Sequence, residues 1–368
     1  MKRLLTVEIP EKRIFGLDLL RFIAIITVLI SHSILLLPTN LKFLELFSTD
    51  GVLIFFVLSG FLIGRILIRD FNYGISLHKM LYFWKRRWFR TLPAYFFTIC
   101  FIIILSLLLK VKLNRIEIIK SLFFVQNISF APSSFFPESW SLAIEEWFYL
   151  LLPILLFVFY KIFRFSVKKN IIISALIVLI ISLAIRIVIF NSTEIGSIVD
   201  WDNNFRKPII TRLDSILLGV IGAWFYIYKN DLLRAYKTHC FICGFIIFAA
   251  NKLYLDYILE QFGFYYSVIY FTAMPFSILL MLPAAYYLKE AKGLFSDIIS
   301  FVSLISYSLY LLNFTIIIIL ILNPLHLALI IKFLLFWILT PLLSVLMYKY
   351  IEQPFIQLRN KMVKVKES

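Results

Sequence analysis

The 368-residue sequence is 62% hydrophobic and only 16% charged, which excludes a soluble globular domain of this size. Its formal net charge of +16 lies in short connections between apolar stretches rather than in a long basic tail or an RNA-binding motif, so we expect no nucleic-acid partner. Apolar runs long enough for spanning helices recur along the chain, and they are continuous rather than alternating, which excludes a membrane β-barrel. We predict an all-α fold, a polytopic transmembrane helical bundle in a lipid bilayer.

Hydropathy predicts about ten spans. Of the 37 Lys and Arg residues, 25 fall in segments on the side of the N-terminus, nine fall on the opposite side and three lie within spans. Because cytoplasmic connections carry the excess of positive charge, we expect both termini in the cytoplasm. Residues 1–13 then form a cytoplasmic N-terminal segment, 14–355 the transmembrane domain and 356–368 a basic cytoplasmic tail. The predicted spans cover residues 14–37, 50–69, 93–110, 144–163, 171–190, 211–229, 239–255, 266–288, 298–322 and 328–350.

The first predicted span carries three ionisable side chains, Asp18, Arg21 and His32. The last two are eleven positions apart, so on a helix they project within about 20° of each other and lie roughly 16 Å apart along the axis. A charge at the bilayer centre costs about 2.5–3.5 kcal/mol, so such a stripe faces protein or water and indicates a functional site. With the N-terminus inside, Arg21 lies near the cytoplasm and His32 in the outer half.

A basic segment, residues 70–92, precedes the third predicted span. It contains Arg86, Arg87 and Arg90 at a predicted helix start, followed by Pro93. Three guanidinium groups within five positions favour an anion-binding site, because arginine grips phosphate oxygens bidentately. Charge that only sets membrane topology, or that attracts anionic lipid headgroups, explains the segment equally well.

Two adjacent acids, Glu145 and Glu146, open the fourth predicted span after the long outer segment 111–143. Glu145 lies one helical turn after Ser141, so both side chains face one cleft, at a depth that we expect to be comparable with that of His32. A simple helix start, with a serine cap and one acid that complements the helix dipole, explains part of this pattern but not both acids.

Other polar groups have structural explanations beside functional ones. Segment 191–210 is rich in Asp and Asn, and it is either a solvated loop or a site of polar substrate contact. Arg212 and Asp214 enter the sixth predicted span, where we expect them to pair with other groups of the bundle. Cys240 and Cys243 have a metal-like spacing, but no second pair follows, so we expect packing and no metal. The sequence contains no phosphate-binding glycine loop, H-E-x-x-H motif or G-x-S-x-G elbow.

Several short motifs, taken in this order, resemble the acyltransferase-3 family of integral membrane acyltransferases. The resemblance extends over nearly the whole chain, from about Phe15 to Phe355. The motifs that carry it are Gly16 to Ala24 with His32, Phe55 to Ile63, Arg86 to Arg90 with Pro93, Ser139 to Tyr149, Arg212 to Ser215, Ser306 to Leu311 and Tyr350 to Phe355.

The resemblance implies a ten-span enzyme of the bacterial cytoplasmic membrane. Such an enzyme takes an acyl group, usually acetyl, from cytoplasmic acyl-CoA and delivers it to a hydroxyl on the far side, with surface glycans among the acceptors. His32 matches the catalytic histidine and Arg21 its partner. Arg87 and Arg90 match a pair of cytoplasmic arginines, and Glu145 matches the acid of the Ser-Trp-Ser-Leu motif.

Two positions depart from the family pattern. Asn313 stands where the family commonly has a histidine, and an amide there donates a hydrogen bond but takes no proton. Leu53 stands where many members carry an acid. Both departures leave His32 as the one intramembrane histidine at a family position.

The resulting hypothesis is O-acyl transfer. His32 acts as general base on the acceptor hydroxyl or takes the acyl group itself, and Glu145 orients the imidazole. Arg21 or Arg212 stabilises the developing oxyanion. The acyl-CoA phosphates bind to Arg86, Arg87 and Arg90. We expect substrate contact or structural support from Asp18, Ser141, Glu146, Arg212, Asp214 and Asn313.

Rival interpretations remain at this point. Charged stripes also line transport paths, so a transporter or flippase for a glycan or lipid-linked substrate is the main alternative, and it predicts inverted repeats with broken helices. A membrane sensor or scaffold gives no reason for the alignment of Arg21 with His32. Direct transfer or an acyl-enzyme, the oligomeric state and the acceptor (O-antigen, capsule, peptidoglycan, exopolysaccharide or a small molecule) stay open.

Overall fold

A computed structural model of the chain describes residues 13–38, 50–128, 134–258 and 263–364, and the regular structure within these ranges is helical throughout. Most of the predicted N-terminal segment and the last four residues of the predicted tail lie outside them. The α-helices are α1 (Phe15–Ser33), α2 (Gly51–Phe71), α3 (Leu77–Leu108), α4 (Arg115–Leu122), α5 (Trp140–Phe163), α6 (Val167–Ser192), α7 (Ile198–Trp201), α8 (Leu213–Tyr228), α9 (Asn230–Ile258), α10 (Tyr270–Tyr287), α11 (Leu294–Leu304), α12 (Ser306–Leu312), α13 (Leu329–Met347) and α14 (Gln353–Lys364).

Short helical turns of other types adjoin several of these helices. Turns of π-helix precede α10, continue α12 and join α13 to α14; they are Tyr265–Ile269, Asn313–Leu322 and Tyr348–Glu352. A further π-turn follows α7, and three 3₁₀ turns lie after α1 and before α5 and α8; they are Asp202–Arg206, Ile34–Leu36, Pro137–Ser139 and Ile209–Thr211.

The multi-pass prediction is confirmed. Eight of the described helices are long and apolar enough to cross a membrane. A ninth crossing is the pair formed by α11 with α12 and its π-helical continuation, which is bent by 55° between Leu304 and Ser306. The tenth predicted span corresponds to α8, an apolar helix of 16 residues. The cytoplasmic side of the termini remains a prediction.

The third span begins earlier than its sequence predicted. Helix α3 has 32 residues, or about 48 Å, and begins after Ser76, whose side chain accepts a hydrogen bond from the Lys79 amide. The basic segment predicted as a connection therefore belongs to the same helix as the span. Pro93 lies within the helix rather than at its start, as spanning helices tolerate when neighbours satisfy the freed carbonyl.

Helix α2 lies at the centre of the bundle, with 72% of its most apolar window buried inside the protein, against 6% for α9 at the periphery. It packs against α8 at very short range through glycine. A Cβ atom at Gly60 would lie 1.8 Å from the Ile216 carbonyl oxygen, and one at Gly219 would lie 2.1 Å from the Val57 carbonyl oxygen. The close approach predicted for Gly219 is thus confirmed, and it fixes α2 as one wall of the site described next.

Candidate active site

A narrow cavity of about 170 Å³ runs between α2 and the helices around it. The bent pair α11–α12 forms part of its wall on both sides of the break. Its polar lining comes from five helices and the π-turn before α14; these residues are Arg21, Ser59, Arg87, Arg90, Thr91, Ser141, Glu145, Ser303, Ser306, Tyr307, Tyr310, Tyr348 and Glu352. The cavity therefore brings together residues that the sequence assigned to opposite ends of the membrane.

An ion pair between Arg87 and Glu145 lies on this cavity. Arg87 Nη2 is 3.3 Å from Glu145 Oε2 and donates a 2.7 Å hydrogen bond to the Tyr149 hydroxyl, while the guanidinium lies 4.1 Å from the centre of that tyrosine ring. Glu145 also accepts hydrogen bonds from Ser59 at 2.8 Å and from Tyr149 at 2.8 Å. Both carboxylate oxygens are thus engaged, and Glu145 acts as the anchor of Arg87.

Two further arginines on the cavity have donors to spare. Arg21 lies 3.6 Å from Asp18, but that carboxylate is held mainly by Arg13, through contacts of 2.5 and 2.7 Å, and by Ser303 at 2.9 Å. Arg90 is exposed at the cavity and makes no hydrogen bond or ion pair within the described ranges. Both guanidinium groups are therefore free to bind an anion.

Arg86 does not share this position. It lies 3.6 Å from Asp70, and its guanidinium lies 5.4 Å from the centre of the Tyr82 ring. Residues 86 and 87 project about 100° apart on one helix, so consecutive arginines face different neighbours. Of the three arginines in the predicted phosphate site, the structure brings Arg87 and Arg90 together and turns Arg86 away.

His32 occupies the last turn of α1, where its contacts determine its tautomer. Its Nδ1 makes a short hydrogen bond to Asn313 Oδ1. The amide nitrogen of Asn313 is already used, since it donates to the carbonyls of Leu309 at 2.9 Å and Tyr310 at 2.8 Å. Asn313 therefore presents its oxygen to the imidazole, so the neutral ring carries its proton on Nδ1 and leaves the Nε2 lone pair available.

Asn313 thus acts in a way that the sequence analysis did not predict. We expected its amide to donate a hydrogen bond in place of the family's second histidine, whereas it accepts one from His32. The same imidazole also packs against Phe314, with ring centres 4.7 Å apart. Two consecutive residues of the π-helical continuation of α12 therefore fix the orientation of the ring.

His32 and Glu145 have separate sets of contacts. The partners of His32 are Asn313 and Phe314, and it is not among the residues that line the arginine cavity. The predicted role of Glu145 in orienting the imidazole therefore has no contact to support it, and Asn313 occupies that position instead. A helical wheel relates side chains within one helix but does not fix how far α5 is shifted along the membrane normal relative to α1, which is why Glu145 was expected beside His32.

Tyr310 connects the two parts of the site. Its hydroxyl lies 2.6 Å from Ser141 Oγ and donates to the Glu138 carbonyl at 2.9 Å, all at the cavity wall. One turn later on the same chain segment comes Asn313, the partner of His32. The cavity thus begins among arginines and ends one helical turn from the residue that holds the histidine.

The acid closest in sequence contacts to this outer part is Glu138, which the sequence analysis did not single out. Its carboxylate accepts hydrogen bonds from the backbone N–H of Thr315 at 2.9 Å and from the Thr315 hydroxyl at 2.6 Å. The available signal was an acid just before a helix, in Pro137-Glu138-Ser139, which also fits an ordinary helix start. Glu138 fixes the segment that contains Asn313 against the entrance of α5.

The remaining predicted support residues have distinct environments. Glu146 accepts a 3.0 Å hydrogen bond from Thr91. Asp214 pairs with the fully buried Arg186 at 2.7 Å, as expected of an acid within the bundle. Arg212 is also fully buried and lies 4.1 Å from the centre of the Phe271 ring, but none of its three side-chain nitrogens has a hydrogen-bond partner in the described part of the chain.

The polar segment between α6 and α8 approaches the histidine end of the site. Arg206 pairs with Asp202 at 2.8 Å, lies 5.1 Å from the centre of the Trp140 ring and is within electrostatic range of His32. Burial opposes the charged form of Arg206, but the carboxylates of Asp202 and Asp50 outweigh that effect and raise the pKa of its guanidinium. This segment is therefore folded through ion pairs rather than being a purely solvated loop.

The comparison with known families agrees with the motifs and with this geometry. The family model described as an acyltransferase domain, Acyl_transf_3, matches residues 14–349. The chain belongs to the acyltransferase-3 family. The matched residues include Arg21, His32, Arg87 and Glu145, so both parts of the site lie within the family domain.

Curated relatives of this acyltransferase-3 chain carry a common name. O-acetyltransferase OatA from Staphylococcus aureus strains NCTC 8325 / PS 47, COL and MRSA252 is 32% identical over 324 residues, which cover 82% of this chain and 50% of each relative. The chain thus spans about half the length of the curated relatives that it matches. No solved structure gives a significant match.

Proposed function

We propose that this acyltransferase-3 protein is an O-acyltransferase. It moves an acyl group, acetyl in the simplest case, from cytoplasmic acyl-CoA to a hydroxyl of an extracytoplasmic cell-envelope glycan such as O-antigen, capsule or exopolysaccharide. The observation that carries this proposal is His32 with its Nδ1 proton directed at Asn313 and its Nε2 left to accept a proton. The name O-acetyltransferase on the curated relatives supports both the bond type and the acyl group.

The arginine cavity supports acyl-CoA as the donor. Its volume of about 170 Å³ suits a narrow chain such as a pantetheine arm and is too small for a nucleotide, since drug-sized ligands occupy about 300–1,000 Å³. The phosphates of the donor would therefore stay at the mouth, where Arg90 is exposed. Arg21 lies farther along the same cavity and points towards the helix end that carries His32.

The transfer step balances with the residues at hand. The acceptor oxygen attacks the thioester carbonyl carbon, and His32 Nε2 takes the hydroxyl proton. The carbon–sulfur bond then breaks, and the CoA thiolate takes the proton back from the imidazolium. During this time the Nδ1–H remains bonded to Asn313, which orients the ring but, as a neutral amide, does not neutralise its positive charge.

An acyl-enzyme on His32 is the alternative course within the same function. In that course Nε2 attacks the thioester carbonyl itself, and the acceptor hydroxyl removes the acyl group in a second step. The tautomer favours both courses equally, because each requires an unprotonated Nε2. Acylated His32 trapped with labelled acetyl-CoA in the absence of acceptor would distinguish the second course from the first.

The proposal is tested in cells that lack the gene. Mass spectrometry of their surface glycans should reveal the loss of an O-acyl substituent, and the gene in trans should restore it. Binding of labelled acetyl-CoA to the purified protein tests the donor separately. A transporter or flippase would instead leave glycan acylation intact and change only the distribution of its substrate, and it would not bind acetyl-CoA.

A further inference from the structure

A second, larger cavity lies on the other side of α2, between α8, α9 and α10. Its volume is about 800 Å³, within the range of about 300–1,000 Å³ that is usual for ligand sites. The wall is almost wholly apolar; it includes Leu179, Leu218, Phe225, Leu233, Cys240 and Leu279. Cys240 and Cys243, which had the spacing of a metal site, are free thiols on this apolar wall.

The cavity exists because α9 packs on one neighbour only. Gly244 of α9 brings that helix close to α10, where a Cβ atom would lie 2.6 Å from the Ser277 carbonyl oxygen. No comparable contact draws α9 onto α8, so apolar side chains of both helices border an open space. In a bilayer an apolar space of this size beside a peripheral helix fits a lipid chain rather than water.

One end of this cavity carries two cations. The Arg65 guanidinium lies 4.9 Å from the centre of the Tyr226 ring and 5.1 Å from that of Tyr286, and the Lys289 ammonium lies 3.7 Å from the centre of the Tyr286 ring. Both tyrosines line the cavity. Within the described ranges, neither cation has an ion pair or hydrogen bond, so two like charges share one tyrosine pair without a carboxylate to balance them.

The tyrosine pair adds a hydroxyl donor to the two cations. Tyr286 donates a 2.7 Å hydrogen bond to Tyr226, and the Tyr226 proton is left for another acceptor. A third cation, Lys237, lies 5.8 Å from the centre of the Tyr287 ring, which also lines the cavity. The polar end thus offers a guanidinium, ammonium groups and a hydroxyl, all of which are donors to a phosphate.

We infer that this cavity binds one anionic phospholipid, with an acyl chain between α8 and α9 and its phosphate on Arg65 and Lys289. Charge complementarity selects this occupant, because a neutral lipid leaves the two cations unbalanced and a soluble anion leaves the apolar space empty. Basic pockets between membrane helices are known to bind anionic headgroups in this way. The site is separate from the arginine cavity, so this inference does not depend on the proposed acyl transfer.

Native mass spectrometry of the full-length protein in a non-ionic detergent tests the inference. Phosphatidylglycerol and phosphatidylcholine with identical chains are offered at equal concentration, and we expect phosphatidylglycerol to be retained at about tenfold higher occupancy, a difference of about 1.4 kcal/mol. Equal retention of both lipids would overturn the inference. A polyprenyl phosphate that displaces phosphatidylglycerol at equal concentration would overturn the choice of occupant.

Variants locate the binding site. Arg65→Gln with Lys289→Gln should abolish the preference for phosphatidylglycerol, and Arg65→Lys should keep most of it because the charge remains. Lys292→Gln, an exposed cation that has no contact with the cavity rings, is the matched control and should behave as the wild type. Cys240→Phe fills the apolar part without changing charge and should lower phosphatidylglycerol retention several-fold. An unchanged preference in the double variant, or unchanged retention in Cys240→Phe, contradicts the assignment.

Discussion

Asn313 presents its amide oxygen, and not its nitrogen, to Nδ1 of His32. Two backbone carbonyls of the same chain segment hold the amide nitrogen, so the amide has no freedom to turn over. An asparagine beside a catalytic histidine gives the wrong tautomer when its NH₂ group faces the ring. Here the backbone prevents that outcome, which explains how an amide serves at a position where the family commonly has histidine.

Replacement of Asn313 with leucine should therefore lower activity without loss of fold. The imidazole loses the partner that fixes its tautomer and orientation, and groups of this kind contribute about 10- to 100-fold. The rate of acyl transfer, measured at saturating acyl-CoA, gives this factor. Asn251→Leu removes another buried asparagine, one on α9 that is bonded to the Ile247 carbonyl, and should leave the rate near that of the wild type. Equal losses in both variants would indicate a general packing effect.

Replacement of Glu145 with glutamine distinguishes its two possible roles. The structure engages its carboxylate with Arg87, Ser59 and Tyr149, so the change should weaken the position of Arg87 and raise the KM for acyl-CoA by about 10- to 100-fold, the value of one charged hydrogen bond. The turnover number should change little. A fall in turnover with an unchanged KM would instead support the sequence-based role beside His32. Tyr149→Phe should raise the same KM by a smaller factor.

The arginines of α3 should differ in their effect on donor binding. Arg90→Gln removes an exposed guanidinium from the cavity mouth and should weaken acyl-CoA binding by about tenfold or more. Arg86→Gln, four positions earlier, removes a surface pair with Asp70 and should change the affinity by less than about twofold. Titration of the purified variants with labelled acetyl-CoA measures both. Equal losses would mean that donor binding depends on the overall charge of the segment.

Arg212 offers a test in which stability and activity should move in opposite directions. Its guanidinium is fully buried without a hydrogen-bond partner among the described residues, and such a group lowers stability. Arg212→Met should raise the melting temperature in detergent by about 2–4 °C and, if the group stabilises the oxyanion, lower turnover by about tenfold or more. Arg186→Met is the matched control, since it breaks a fully buried ion pair and should lower the melting temperature. Full activity in Arg212→Met would remove Arg212 from the mechanism.

Part of this architecture was accessible from the sequence. The long apolar runs identified the spans, and the eleven-residue step predicted the shared face of Arg21 and His32, because both depend on periodicity within one helix. The early start of α3 was missed, since its charged residues suggested a connection although they face protein groups such as Glu145. The shift of one helix along another is set by close contacts such as Gly60 against the Ile216 carbonyl, and the pattern within a single helix contains no information about it.

The most direct test of the central claim is the rate of acetyl transfer by His32→Ala in liposomes, with labelled acetyl-CoA on the cytoplasmic side and a glycan acceptor on the other. A general base contributes about 10²- to 10⁴-fold, so the rate should fall by at least about 100-fold while the affinity for acetyl-CoA stays within about twofold. Transfer at the wild-type rate by a correctly inserted His32→Ala protein would contradict the assignment of His32 as the base.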